Sequence, residues 1–256
     1  MTLKLRHLTV GYRRQPVFQD LSLPDIPPGS LVAVAGPNAV GKSTLLRAIA
    51  GLLPLQGDIL LDGQALAAMS TEARRQRLGY LPQPLPQPVP LVAYETVMSA
   101  CRGAGGLADQ RPLEQAIEQV FDELGIRALA LKRLSAMSGG QRQMVGLAQV
   151  LVRQPQLLLL DEPTSALDLH WQLNVLNVVK TATARQGAIA LLASHDLNLA
   201  LRFCDQLLVL APGGHAVLGP PADVLTPALL SRTYGIEGRI EQCSLGYPIV
   251  LADRPA

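Results

Sequence analysis

Leu3, Leu5, Leu8 and Val10 stand among polar neighbours near the start of the chain, a spacing that predicts a first β-strand. After Gly29-Ser30 the pattern changes to an unbroken apolar run, Leu31-Val32-Ala33-Val34-Ala35, which predicts a strand buried on both faces. From Thr44 to Leu53 the apolar residues recur at helical spacing, and Gly51 with Pro54 supplies stop signals. Gly57 to Gly63 reads as a short strand ending in a turn. Pro82 to Pro90 holds five prolines in nine positions and predicts an extended, stiff connector between two structural parts. Beyond it the pattern turns helical. Glu114 to Leu124 places Ile117, Val120, Phe121 and Leu124 on one helical face, Gln141 to Leu151 carries a similar stripe, and Gly103-Ala104-Gly105-Gly106 marks a loop before both. Strand and helix alternate again from Leu157, with a strand to Leu160, a helix over Val175 to Ala184, and strands at Ala188 to Ala193 and Leu207 to Leu210. These elements predict an α/β core of about 1–84 and 152–218, interrupted by a helical insertion over about 85–151. Gly219 to Ala256, a C-terminal extension, is turn-rich and shows no clear period.

Composition narrows the class. The chain has 256 residues, 48% of them hydrophobic, enough to bury a substantial core. No apolar run approaches the ~18 to 20 residues of a membrane span. Met1-Thr2-Leu3-Lys4 leads straight into alternating residues without a secretory pattern, so a cytoplasmic placement is expected. Cys101, Cys204 and Cys243 are scattered and form no CxxC, which argues against a disulfide framework or a zinc site. A net charge of +2 with dispersed basic residues gives no nucleic-acid footprint. The densest basic group, Arg74, Arg75 and Arg77, reads as the solvated face of a helix.

Chemistry concentrates in a few segments. Gly36-Pro37-Asn38-Ala39-Val40-Gly41-Lys42-Ser43 matches the phosphate-loop pattern and stands between a predicted strand and a predicted helix, as that pattern requires. Its glycines let backbone N–H groups face phosphates, Lys42 neutralises β and γ oxygens, and Ser43 offers a hydroxyl to Mg²⁺. Leu157 to Leu160 runs into Asp161 and Glu162 at a strand's C-terminal end, where α/β sheets place ligands. Asp161 is suited to orienting Mg²⁺ through its water shell, and Glu162 to polarising a water that attacks the γ-phosphorus. His195 follows another strand-like run and falls at the same sheet edge. Gln83, at the start of the proline connector, could coordinate Mg²⁺ or water. Tyr12, after the first strand, could stack on an adenine or simply pack.

Met137-Ser138-Gly139-Gly140-Gln141 opens a predicted helix and offers N–H groups and a hydroxyl to an anion. Beside a complete phosphate cradle in the same chain it is redundant for one site, so the simplest reading is that it serves the site of a second copy.

Taken together, these segments resemble the ATP-binding cassette family, the motor subunits of membrane transporters, over nearly the whole chain. Gly36 to Thr44 is similar to that family's Walker A, Leu157 to Asp161 to Walker B with Glu162 as catalytic glutamate, and Met137 to Gln141 to the signature. Tyr80-Leu81-Pro82-Gln83 resembles the Q-loop, Ser165-Ala166-Leu167-Asp168 the D-loop, His195 the switch histidine, and Tyr12 the adenine-stacking aromatic. Asp168 to Leu173 and Ser194 to Ala200 look most like the importer subunits for ferric siderophores, haem and cobalamin. The resemblance implies a P-loop NTPase (RecA-like) core with an N-terminal antiparallel β part and an inserted α-helical subdomain. It also implies an ATPase using ATP and Mg²⁺, with Ser43, Gln83 and Asp161 on the metal. The nucleotide would be sandwiched between two copies, with Ser138, Gly139, Gly140, Gln141 and Asp168 reaching it from the partner. Further partners would be two permease subunits and, indirectly, a periplasmic substrate-binding protein, with the chain on the cytoplasmic face of the inner membrane. A soluble cassette acting on nucleic acid or ribosomes is one alternative, although such proteins usually carry two cassettes or a long coiled-coil insertion; a subunit transporting another substrate is the other.

Two positions depart from the family pattern. Met137 replaces the common leucine, a near-isovolumetric change that typically costs under ~1.5 kcal/mol. Ala39 replaces a frequent glycine, tolerable at negative φ and strained by about 1 to 2 kcal/mol at positive φ.

Overall fold

The computed structural model describes residues 1–12, 15–87, 90–103, 105 and 109–256. Pro88 and Val89 of the expected connector, and Ala104 and Gly106 of the expected glycine loop, lie outside them.

The N-terminal part is an antiparallel sheet of β1 (Leu3–Tyr12), β2 (Gln15–Leu21), β4 (Leu55–Leu61) and β5 (Gln64–Ala65), in the order β2-β1-β4-β5. Between its strands the chain makes β3 (Leu31–Ala35) and α1 (Lys42–Ile49). There follow α2 (Thr71–Arg77), β6 (Leu78–Leu81), α3 (Ala93–Gly103), α4 (Gln110–Glu123), α5 (Gly139–Leu151), β7 (Leu157–Asp161) and α6 (Leu169–Gln186). The chain continues through β8 (Ile189–Ala193), α7 (Leu197–Phe203), β9 (Gln206–Ala211), β10 (His215–Gly219), α8 (Pro221–Val224) and α9 (Pro227–Tyr234). It ends in the hairpin β11 (Ile236–Gln242) and β12 (Pro248–Pro255).

The central sheet has the order β10-β9-β3-β8-β7-β6, parallel except for β10. Its middle strands are apolar runs because both faces are covered, broken only where β9 starts at Gln206 and β7 ends at Asp161. Alternation then divides one strand between two cores. Leu157 and Leu159 of β7 pack with Val32, Val34, α1 and the antiparallel sheet, whereas Leu158 and Leu160 pack with α5, α6 and the helical part. Each such buried leucine contributes roughly 1.5–3 kcal/mol. Within the helical part α3, α4 and α5 pack on one another, and Tyr94 stacks on Phe121 with ring centroids 6.2 Å apart. Residues 82–87 form neither helix nor strand, and Leu85 packs against α5.

Several expectations need correction. The helix expected over Thr44 to Leu53 starts at Lys42 and stops at Ile49, because Gly51 turns to φ 76° and leaves Leu52 61% exposed. The strand β2 has no signal in the pattern: register shifts in its pairing with β1 leave only Phe18 and Leu21 buried, three positions apart. The arginines of α2 are not simply solvated. Arg74 donates to the Leu66 carbonyl, and Arg77 to Gln64 Oε1 (2.7 Å) and Gln156 Oε1 (2.5 Å). The segment from Gly219 on, without a period to read, folds into two short helices and a hairpin that packs on α7 and α9.

Candidate nucleotide site

The loop between β3 and α1 is shaped by its backbone. Gly36 takes φ 143°, and a Cβ there would lie 2.4 Å from the Leu210 carbonyl oxygen. Gly41, at φ 112°, caps α1 and sits where a Cβ would meet Val17 and Phe18 of β2. Side chains are excluded at both places, so the loop can bend tightly with N–H groups turned inward. Pro37 and Val40 are half-buried, and Asn38 and Ala39 are exposed. Ala39 has φ 63°. Lys42 is 7% exposed, and its ammonium donates to the carbonyls of Gly36 (2.7 Å) and Pro37 (3.0 Å), across the mouth of its own loop. Burial lowers its pKa, opposed by the nearby carboxylates of Glu162 and Asp161.

Ser43 and Thr44 open α1. The Ser43 hydroxyl donates to Asp161 Oδ1 at 2.8 Å, tying α1 to the end of β7. Asp161 is fully buried, and its Oδ2 has no hydrogen-bond partner. Burial raises its pKa, partly offset by the Ser43 bond and by Arg47. A buried carboxylate oxygen left unpaired is an acceptor waiting for a cation or a proton.

Glu162 leaves the strand in the left-handed region, φ 51°, while its N–H still donates to the Ala193 carbonyl (3.2 Å). Its Oε2 lies 3.7 Å from His195 Nδ1, and both border a small cavity of about 90 Å³ with Ser165 and Ser194. The Glu162 side chain is 20% exposed and that of His195 59%, so the pair faces solvent at the end of the sheet. Gln83 reaches the same place. Its amide donates to Ser165 Oγ (3.1 Å), which donates in turn to the Glu162 carbonyl (3.1 Å), and its own carbonyl accepts from Arg47 (3.3 Å). Asp161, Glu162, Gln83 and His195 therefore meet at one sheet edge with Lys42 and Ser43.

Ser138, Gly139, Gly140 and Gln141 lie elsewhere. Ser138 caps α5 by accepting from the Gln141 N–H (3.2 Å), and Gln141 Oε1 accepts from the Ser138 N–H (3.3 Å), a reciprocal capping box. Gly140 comes so close to the segment before α6 that a Cβ would lie 2.9 Å from the Ala166 carbonyl oxygen. Asp168 caps α6 by accepting from the Trp171 N–H (3.1 Å). Both caps border a cavity of about 580 Å³ whose walls include Met144, Leu167 and Trp171. Among the described residues no hydrogen bond joins 138–141 to 36–44. Tyr12, at the end of β1, is 46% exposed.

Two contributors, Arg47 and Tyr234, went unread in the sequence, and Ser165 was read only as part of the D-loop resemblance, without its bridging role. Ser165 bridges Gln83 to Glu162, and Arg47, one helical turn after Ser43, links α1 to the Gln83 carbonyl. The i,i+4 spacing from Ser43 is the signal that could have found Arg47. Tyr234 had none. Burial pushes its phenol up to about 12, opposed by a bond from the Gly36 backbone, so the last long helix touches the first glycine of the loop.

The family model described as ABC transporter matches residues 18–165. The hemin import ATP-binding protein HmuV of Bordetella pertussis is 37% identical over 94% of both chains. The ferric enterobactin transport ATP-binding protein FepC of Escherichia coli is 32% identical, over 97% of this chain and 93% of its own. A metal-chelate type ABC transporter in an inward-facing conformation superposes with a TM-score of 0.81 at 25% identity, covering 98% of this chain and 97% of the other. A dimeric ATP-binding cassette caught after hydrolysis with ADP and Pi gives 0.76 at 25% identity, over 86% and 98%. A glycine-rich loop after β3, two adjacent carboxylates at the end of β7, and these relatives together place the chain in the ABC transporter family, as an ATP-hydrolysing subunit.

Proposed function

We propose that two copies of this chain enclose ATP and use its hydrolysis to drive import of a metal chelate, such as haem or a ferric siderophore, through a partner permease. The observation that carries the reading is the meeting of Lys42, Ser43, Asp161 and Glu162 at one sheet edge, while Ser138 to Gln141 stand apart. One chain thus holds two half-sites, and a second copy completes each.

Lys42 gives up its two carbonyl partners to the β and γ oxygens of ATP. The loop of Gly36, Pro37, Asn38, Ala39, Val40, Gly41 and Thr44 supplies N–H groups at a helix N-terminus. Tyr12 presents its open face to the adenine. The donor set of Ser43 hydroxyl, Asp161 carboxylate and Gln83 amide suits Mg²⁺, a hard cation that accepts few protein ligands and completes its shell with water and phosphate. The unpartnered Asp161 Oδ2 supports this. Such an ion would neutralise charge on the β and γ phosphates. Glu162 accepts the proton of the attacking water, and His195 orients the γ-phosphate end beside it. From the second copy, Ser138, Gly139, Gly140 and Gln141 bring the α5 N-terminus to the γ-phosphate, with Asp168 at the rim.

No helix among the described residues is long and apolar enough to cross a membrane; on this reading the chain meets the membrane through its permease. A groove of about 430 Å³ lined by Leu52, Arg74, Arg75, Tyr80 and Arg153 opens beside the strand that leads to Gln83. With residues from Pro84 to Tyr94 it forms the permease-facing surface, and a periplasmic binding protein would deliver cargo to the far side. In this scheme 85–151 moves relative to the core of 1–84 and 152–218, and 219–256 stays with the core. Glu162→Gln in the permease complex should lower ATP turnover by about 100-fold or more while nucleotide binding persists. Turnover within about threefold of the unmodified chain would refute the assignment. Loss of this chain should also abolish uptake of haem or siderophore iron and spare other iron uptake.

A further inference from the structure

His195 hangs between two anchors. On its upstream side the Ser194 N–H donates to the Val34 carbonyl (3.0 Å), fixing it to the central sheet. On its downstream side Asp196 accepts from the Leu199 N–H (2.9 Å) and opens α7, a helix of seven residues. A helix that short has little stability of its own and takes its position from what packs on it. Here that is the core on one side, through Ala200, Leu201 and Phe203 against α6 and β3, and the C-terminal hairpin on the other. Asn198, three residues past His195, grips the β12 backbone at both ends of its amide: its Oδ1 accepts from the Val250 N–H (2.7 Å) and its Nδ2 donates to the Val250 carbonyl (3.4 Å). At the other end of α7, the Arg202 guanidinium lies over the Tyr247 ring, 5.0 Å from its centroid, and over Phe203 at 5.6 Å.

We propose that the C-terminal hairpin positions His195 for hydrolysis by clasping α7, with Asn198 as the positioning residue and Tyr247 as a second hold. Among the described residues no hydrogen bond or ion pair joins the hairpin to the site residues; it acts by fixing the helix that His195 precedes. The proposal rests on the role given above to His195. Holding a reacting group within a few tenths of an ångström carries rate, and a displacement of about 1 Å can cost up to about 100-fold.

The test uses the full chain with its permease. Asn198→Ala should lower kcat about tenfold with KM for ATP within about twofold, since the phosphate loop is untouched. Asn198→Asp, which keeps the acceptor for the Val250 N–H, should recover much of that rate. Tyr247→Ala, at a largely exposed side chain, should lower kcat by about two- to threefold and serves if Asn198→Ala fails to fold. The decisive arm is single-turnover hydrolysis in a His195→Ala background. If Asn198 acts through His195, adding Asn198→Ala there should change the residual rate by less than about twofold. An equal loss in both backgrounds, or a change in KM alone, would overturn the proposal. Full activity in His195→Ala alone would refute the role of His195 itself, whereas loss there with normal Asn198→Ala and Tyr247→Ala would refute only the clasp.

Discussion

Ala39 holds a left-handed φ of 63°, the one conformation in which its methyl is unwelcome. Ala39→Gly should therefore stabilise the chain by roughly 0.5–1 kcal/mol, the relief of strain exceeding the entropy that glycine adds to the unfolded state, as a thermal melt would show. Asp161 makes the opposite bargain between stability and use. Burial raises its folded pKa, so the folded state holds the proton more tightly than the unfolded one. The stabilising contribution is complete below the ordinary carboxylate pKa of 3.8 and is lost as pH rises through the raised folded value. Asp161→Asn should raise the nucleotide-free melting temperature by about 2–4 °C and remove the extra stabilisation that Mg²⁺ adds to ATP. The loop and carboxylate residues were legible because their chemistry demands fixed types at fixed spacing. The bridge made by Ser165 and the place of Tyr234 were not, since a serine bridge or a phenol against a backbone N–H is made by tertiary approach and leaves no local spacing; Arg47 offered only its i,i+4 spacing from Ser43.

At the scale of elements, the apolar runs of β3, β7 and β8 identified themselves because burial on both faces allows no polar position. β2 escaped for the converse reason: its irregular register spoils the period of two. The end of α1 was placed too late, since the apolar stripe runs on past Ile49 while Gly51 turns the backbone away. The α5 N-terminus adds a control to any test of dimerisation. Ser138 closes the capping box, so a replacement that removes the cap costs about 1 kcal/mol for reasons unrelated to a partner copy. Ser138→Asp keeps the cap and places a negative charge where a γ-phosphate would arrive. It should leave ATP binding by the single chain intact and abolish ATP-dependent dimerisation, read by light scattering.

For the whole molecule, the α/β class and the helical interruption were readable from the change of period alone, whereas the packing of the C-terminal hairpin was not. Its residues alternate weakly and only half bury, so the hairpin exists because α7 and α9 offer it a surface. The surface facing a permease is a matter of shape and charge. Leu52 stands 61% exposed beside a groove with Arg74, Arg75 and Arg153, and such a wall suits an amphipathic helix carrying acidic residues. Leu52→Glu should release the subunit from its permease while ATP binding in the isolated chain stays within about twofold, as co-purification and nucleotide titration would show.

The helix α5 has one further consequence. Its 13 residues make a rod of about 20 Å, with Ser138 at one tip and Val150 at the other. Val150 abuts Gly79 so tightly that a Cβ on the glycine would lie 2.4 Å from it, and Gly79 stands in the strand that delivers Gln83. A tilt of about 10° at that bearing sweeps the far tip through about 3 Å, the span of one hydrogen bond. On the proposed reading the rod has the gearing to turn a movement too small to break core packing into the making or losing of a grip on the neighbouring copy's phosphate.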